Sequence, residues 1–151
     1  MTDFWPDEIE QKTITVPITI LREQAELLGK KTKNIVKAEV VALAPSEPIL
    51  LERDGVKNQA RVFRYAFLLV APILDNYRYH LFSISHPIDL YPIRFYLDAD
   101  IEQEVRSNNE SPTIASSEEE FSNTLKAIFG ARKTVRAIQS MLAQSQGYKV
   151  L

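Results

Sequence analysis

The chain has 151 residues, of which 45% are apolar, and its formal net charge is −2. This size and composition predict a single globular domain, 1–151, that can bury its own core. A slightly negative net charge gives no general attraction to nucleic acids or anionic membranes. The absence of cysteine excludes disulfides, thiolate metal sites and cysteine nucleophiles. Without a long apolar run or a secretory pattern, we expect a cytoplasmic protein with no membrane partner.

The N-terminal part predicts a polar lead followed by a short helix. Residues 1–12 are mostly polar but include Phe4 and Trp5. Because exposed tryptophan is uncommon, we expect this lead to dock on the domain. Residues 14–18 alternate between apolar and polar side chains, which is typical of an extended segment. Apolar residues at helical spacing then predict a helix over 20–28.

The middle of the chain predicts strands. The first is expected at 34–44, and a short one at 49–52 would precede the turn signal of residues 54–55. Residues 57–60 are expected to be a loop or the frayed start of the central strand. Residues 93–97 alternate again, with their odd-numbered members apolar, and predict a further strand.

Val62–Ser85 is the strongest strand signal, because two runs rich in aromatic and β-branched residues flank a short connection. This pattern predicts a β-hairpin. The first run is apolar on both faces, and only Arg64 interrupts it, so we place it in the middle of the sheet. Phe67 and Leu69 should therefore be fully buried.

The last third predicts an acidic, partly mobile linker over 98–116 and one long helix over 117–146. The linker could hold a helical turn at Ile101 and Val105. Either Ser116 with Glu119, or Ser117 with Glu120, would form a capping box at the start of the helix. The predicted fold is α+β: an antiparallel sheet of four or five strands, with the short N-terminal helix and the long C-terminal helix packed on one face.

A straight helix over 117–146 would be about 45 Å long and would overhang such a sheet by roughly a third. Four apolar residues would lie on the overhanging end: Val135, Ile138, Met141 and Leu142. We expect a second copy of the chain, related by a two-fold axis, to cover this strip. A bend near Gly130, or cover by the Phe4–Trp5 lead, are the alternatives.

The two histidines are the only candidates for acid–base or metal chemistry. On an unbroken strand, the even spacing of His80 and His86 would place both on one face, with Asp75 and Asp89 on the flanking turns. His80, His86 and Asp89 would then be the catalytic candidates of a hydrolase. This pattern matches no established metal-ligand spacing, and a half-buried, hydrogen-bonded histidine is the favoured interpretation. The chain has only four glycines, which argues against a glycine-rich phosphate loop, and we expect no metal or cofactor.

A second set of residues could form a cationic and partly aromatic sheet face. Its members project from predicted non-core strand positions: Lys37, Arg64, Arg78, His80, Arg94 and Tyr96, with Tyr65, Tyr77 and Tyr79 nearby. Single-stranded nucleic acids bind such faces through phosphate contacts and base stacking. The chain lacks an RNP-type signature and is acidic as a whole, so a solvated outer face is the favoured interpretation.

The sequence therefore favours a non-enzymatic interaction or regulatory module over an enzyme. Its partner would be another protein or a second copy, bound through the C-terminal helix. Nucleic-acid binding through the sheet face is the alternative hypothesis. A hydrolase centred on His80 and His86 is the third.

Overall fold

The structure, a computed structural model, describes residues 1–11, 14–44, 49–53, 56–107 and 113–149. The helices are α1 (Glu8–Gln11), α2 (Pro17–Lys31), α3 (Ala99–Arg106), α4 (Glu118–Phe129) and α5 (Arg132–Lys149). The strands are β1 (Lys37–Ala42), β2 (Ile49–Arg53), β3 (Val56–Ala60), β4 (Phe63–Ala71), β5 (Tyr77–His86), β6 (Ile93–Leu97) and β7 (Ile114–Ala115). A 3₁₀ turn over Pro72–Leu74 begins the connection between β4 and β5.

Five strands form one sheet in the order β1-β4-β5-β6-β7, and every neighbouring pair is antiparallel. This confirms the predicted α+β class and the central position of the hairpin. The expectation of a loop over 57–60 is wrong, because β3 pairs with β2 in a separate two-stranded ribbon. The predicted turn at 54–55 lies outside the described residues.

One face of the sheet holds the hydrophobic core, and stacked phenylalanines form its centre. The rings of Phe67 and Phe82 lie 5.2 Å apart on neighbouring strands. Phe129 at the end of α4 packs 5.4 Å from Phe67. Helices α2 to α5 all contribute buried side chains to this cluster. Phe67 and Leu69 are buried, as predicted, and α2 and α5, which correspond to the predicted N-terminal and C-terminal helices, pack on one face.

A β-bulge in β5 decides which side chains reach that core. Phe67 lies opposite Phe82, whereas Leu68 lies opposite His80, so Leu81 has no partner on β4. Two residues on one strand then oppose one on the other, which is the defining feature of a bulge. Leu81 and Phe82 are both buried in the core, while His80 is exposed.

Helix α2 begins earlier and ends later than the sequence predicts. Pro17 occupies the start of the helix, where proline costs no backbone hydrogen bond, so the extended segment predicted at 14–18 is wrong at its end. Gly29 does not stop the helix. It lies within α2, where a Cβ atom would come 3.0 Å from the Asn34 side chain. The chain leaves the helix at Thr32, whose hydroxyl donates to the Leu28 carbonyl.

The single helix predicted over 117–146 is wrong, because the chain forms two helices separated at Gly130 and Ala131. Glycine weakens a helix interior. The Thr134 hydroxyl donates to the Ile128 carbonyl at 2.6 Å and holds the break. Helices of 12 and 18 residues are about 18 Å and 27 Å long, so the calculated overhang disappears. The bend near Gly130, one of the alternatives, is the outcome.

The capping of α4 follows the sequence. Ser117 is the N-cap, and its hydroxyl accepts from the Glu120 amide at 3.2 Å. The Glu120 carboxylate in turn accepts from the Ser116 amide. Ser117 with Glu120 is the second of the two pairs that the sequence allowed, but the carboxylate reaches the amide of the residue before the N-cap, so the capping box is only partly formed.

Much of the predicted acidic linker 98–116 is regular structure. Ile101 and Val105 are buried on α3, and Ile114–Ala115 forms the edge strand β7. The expectation of a mobile loop also covers residues 108–112, which lie outside the described residues. The interpretation of 1–151 as one domain stays a prediction.

Asp98 joins the start of α3 to α5. One carboxylate oxygen accepts from the Asp100 amide at 2.8 Å as a helix cap. The other pairs with the Lys133 ammonium. The hydrogen bond from Lys133 is the main cause that lowers the pKa of Asp98, and the same contact raises the pKa of Lys133.

Phe67→Ala should lower the free energy of unfolding by about 3–5 kcal/mol, because it empties a buried aromatic site. Phe63→Ala is the matched control. Phe63 lies on the same strand but is largely exposed, so its loss should be much smaller. Urea unfolding measures both values. A loss below about 1 kcal/mol for Phe67→Ala would contradict the central position of β4.

Asp98→Asn keeps an N-cap acceptor but removes the charge, so it isolates the contact with Lys133. A lowered pKa in the folded state stabilises the protein above the unfolded value of about 3.9, and this stabilisation is lost as the pH falls through the folded pKa. The stability advantage of the wild type over Asp98→Asn should therefore be present at neutral pH and vanish in acid. Urea unfolding across this range tests it, and a pH-independent difference would contradict the assignment.

Candidate functional site

An apolar groove runs between α2 and α5 above the core face of the sheet, with a volume of about 510 Å³. Its floor is Phe67, Leu69 and Leu81. Leu27 and Leu28 of α2 form one wall, and Val135 and Ile138 of α5 form the other. We call this the α2–α5 groove. Its volume falls within the range of ligand-binding pockets, about 300–1,000 Å³.

The groove is open to solvent along its rims. Leu27 is 52% exposed and Val135 is 39% exposed, although both are large apolar residues. Lys31 is the one charged residue among those that line the groove. An exposed apolar surface with a polar edge is typical of an interaction site.

The four predicted interface residues do not form one exposed strip. Val135 and Ile138 line the α2–α5 groove. Met141 is buried, and Leu142 packs partly buried against the core. The break at Gly130 causes this difference, since it brings α5 back onto the sheet. Self-association stays a prediction, and its geometric basis moves from the end of a helix to a groove.

The N-terminal lead is not docked, so that expectation is wrong. Phe4 is 91% exposed and Trp5 is 75% exposed. Ile9, in the short helix α1, is also exposed. The segment thus presents aromatic and aliphatic side chains to solvent, and residue 12 at its end lies outside the described residues.

The opposite face of the sheet, here called the outer sheet face, brings the predicted cationic residues together. Arg64, Ser85 and Arg94 lie side by side on β4, β5 and β6. Ala66, Ser83 and Tyr96 form the next row. Two further rows follow along β4. In one, Leu68 lies between Glu39 of β1 and His80 of β5. In the other, Val70 lies between Lys37 of β1 and Arg78 of β5. The nucleic-acid-binding hypothesis required the predicted cationic residues to lie on one face, and they do. Nucleic-acid binding itself stays a prediction.

The charges on the outer sheet face are mostly cationic and free. Arg78 pairs with Glu39 at 3.0 Å. Within the described parts of the chain, Lys37, Arg64 and Arg94 form no ion pair. Among those same parts, α2 to α5 contribute to the core on the other side, so none of these four helices covers this face.

The two histidines lie on opposite faces of the sheet, because the bulge at Leu81 shifts the alternation between them. His80 is on the outer sheet face, where its Nε2 lies 2.7 Å from the Ser83 hydroxyl. His86 is buried on the core side and stacks on Phe63 with ring centroids 5.4 Å apart. The prediction of a shared face assumed an unbroken strand and is wrong.

The candidate carboxylates Asp75 and Asp89 do not form a hydrolytic site with the histidines. Asp75 lies beside the β4–β5 connection, at the opposite end of β5 from His86, and Asp89 is exposed in the loop after β5. Over the described ranges, no three histidine, aspartate or glutamate side chains are grouped to hold a metal ion. The geometry gives the hydrolase hypothesis no support, since its candidate residues do not converge.

Sequence reasoning missed half of the α2–α5 groove. Leu27 lay inside the predicted first helix but outside its core-facing apolar stripe. An apolar residue at such a position indicates an exposed apolar surface, and this was the signal that could have been used. Leu81 gave no such signal, because its inward orientation depends on the bulge. The groove also requires α5 to lie beside α2, which a single long helix would not have placed there.

Comparison of the chain with protein-family models, with curated proteins and with solved structures gives no match in any of the three. No helix within the described ranges is long and apolar enough to cross a membrane.

Proposed function

We propose that the protein is a non-enzymatic interaction module that self-associates, with the N-terminal lead of one copy binding in the α2–α5 groove of a second copy. One observation carries this proposal: a single chain exposes both an apolar groove and an aromatic segment that could fill it. Each element leaves large apolar side chains in water, and mutual burial would remove both costs.

The lead has the chemistry that the groove favours. Tryptophan and phenylalanine are frequent anchors of protein interfaces because each buries a large area with few rotatable bonds. Phe4 and Trp5 are adjacent, and acidic residues flank them at Asp3 and Asp7. The groove is apolar inside and carries Lys31 at its edge. Acidic flanks on the lead would therefore meet a cation rather than a like charge.

A second copy is favoured over docking within one chain. Phe4 and Trp5 are exposed in the isolated chain, so the lead does not occupy its own groove. Reciprocal exchange across a two-fold axis would fill two grooves with two leads and close the assembly. Such an interface is isologous, because each copy provides the same lead and the same groove.

Trp5 is a direct probe, because it is the one tryptophan of the chain. Its emission maximum should shift to shorter wavelength as the protein concentration rises, since binding moves the indole from water into the groove. Sedimentation equilibrium over the same concentrations should show a dimer. Val135→Asp should abolish both effects. Ile88→Asp, which changes an exposed apolar residue elsewhere, should abolish neither.

A mixing experiment separates exchange between copies from docking within one chain. One variant carries Phe4→Ala with Trp5→Ala and keeps the groove, while the other carries Leu27→Asp with Val135→Asp and keeps the lead. Neither should dimerise alone. In the mixture, Trp5 of the second variant should shift to shorter wavelength. A shift in the wild type that is independent of concentration, or no shift in the mixture, would contradict the proposal.

A further inference from the structure

We infer that the outer sheet face is a binding surface for single-stranded nucleic acid. It lies on the side of the sheet opposite the α2–α5 groove and does not depend on self-association. In the row of Arg64, Ser85 and Arg94, two arginines flank one small residue. Two strand spacings of about 4.8 Å place their backbones roughly 10 Å apart.

Small side chains between these arginines form a shallow floor. Ala66, Ser83 and Ser85 are all buried on the outer sheet face, although no helix from α2 to α5 covers them. A flat floor with cationic edges fits a ligand that is itself thin and negatively charged.

Tyr96 supplies a platform for stacking. It is 45% exposed, and its hydroxyl lies 3.2 Å from the Ser85 hydroxyl on the neighbouring strand. This contact places the Tyr96 hydroxyl beside β5, next to the row of Arg64, Ser85 and Arg94. Nucleobases stack on aromatic rings held in this way, and the contact tolerates any base because every base has a π-face.

The free cations supply the backbone contacts. Lys37 lies on the same face as Arg64, six residues apart along the strand direction, which is roughly 20 Å. The one described carboxylate among the register rows of this face, Glu39, is already paired with Arg78. The surface is thus locally cationic, although the whole chain has a net charge of −2. Single strands combine a phosphate backbone with exposed bases, so they match both parts of this surface.

The test is fluorescence anisotropy with labelled oligothymidylate and oligouridylate of about 20 nucleotides, which cover the length of the face. Binding should weaken as salt rises from about 50 to about 200 mM. For three phosphate contacts, the slope of log K against log salt should be about −2. The two oligonucleotides differ in the sugar and in the 5-methyl group of thymine, so a preference would show that one of these groups contributes, and either preference supports the inference.

Four variants test the cationic and the aromatic parts of the surface separately. Arg64→Ala and Arg94→Ala should each weaken binding and make the salt slope less steep by about 0.7. Tyr96→Ala should weaken binding roughly 5- to 150-fold without changing the slope, whereas Tyr96→Phe should keep most of the affinity. Arg136→Ala is the matched control, because this exposed arginine lies on α5 on the other side of the sheet, and it should change nothing.

Several results would overturn the inference. One is the absence of oligonucleotide binding at low salt. A second is equal loss of binding in Arg136→Ala. A third is equal affinity for a duplex, which would indicate general attraction of polyanions. Binding of phosphatidylserine vesicles without binding of oligonucleotides would assign the face to a membrane surface. Val135→Asp should leave oligonucleotide binding unchanged, so failure here is distinguishable from failure of self-association.

Discussion

The bulge at Leu81 is the constraint on which both surfaces depend. Because Leu81 has no partner on β4, it points with Phe82 into the core and forms part of the floor of the α2–α5 groove. The same shift turns His80 outward, next to Ser83. A regular strand would reverse this arrangement: it would place an imidazole under the helices and a leucine among the arginines. Bulges often change the direction of side chains in this way. Here the one extra residue in β5 decides which side chains face the apolar core and which lie on the cationic outer sheet face.

The break at Gly130 complements the bulge on the helical layer. It lets α5 return across the sheet beside α2, so the two helices become the walls of a groove with phenylalanines and leucines beneath it. The buried Thr134 hydroxyl donates to the Ile128 carbonyl, which also accepts from the Ala131 amide at the break. The molecule consequently has an apolar groove on its helical side and a cationic sheet face on the other. Two functions that do not compete for the same residues are physically compatible with this arrangement.

Much of the sheet could be predicted from local pattern alone. The aromatic runs around Phe67 predict a buried hairpin without any knowledge of the neighbouring strands. The capping at Ser117 also depends on local sequence, because its two partners are three positions apart. The bulge could not be predicted, because it is a property of the register between two strands. The effect of Gly130 could not be decided from the sequence, since a single glycine inside a helix with a strong apolar stripe can either bend the helix or be tolerated. Trp5 was misplaced because its docking was inferred from a general tendency and not from a specific partner surface.

Both surfaces depend on Leu81 facing the core and His80 facing solvent. Thiol labelling can measure this orientation, because the natural chain has no cysteine to interfere. Single-cysteine variants His80→Cys and Leu81→Cys would be labelled under native conditions, and circular dichroism would check that each is folded. We expect rapid labelling at position 80, which faces solvent, and slow labelling at position 81, which faces the core. The reverse order would show an unbroken strand and would contradict the assignment of both surfaces.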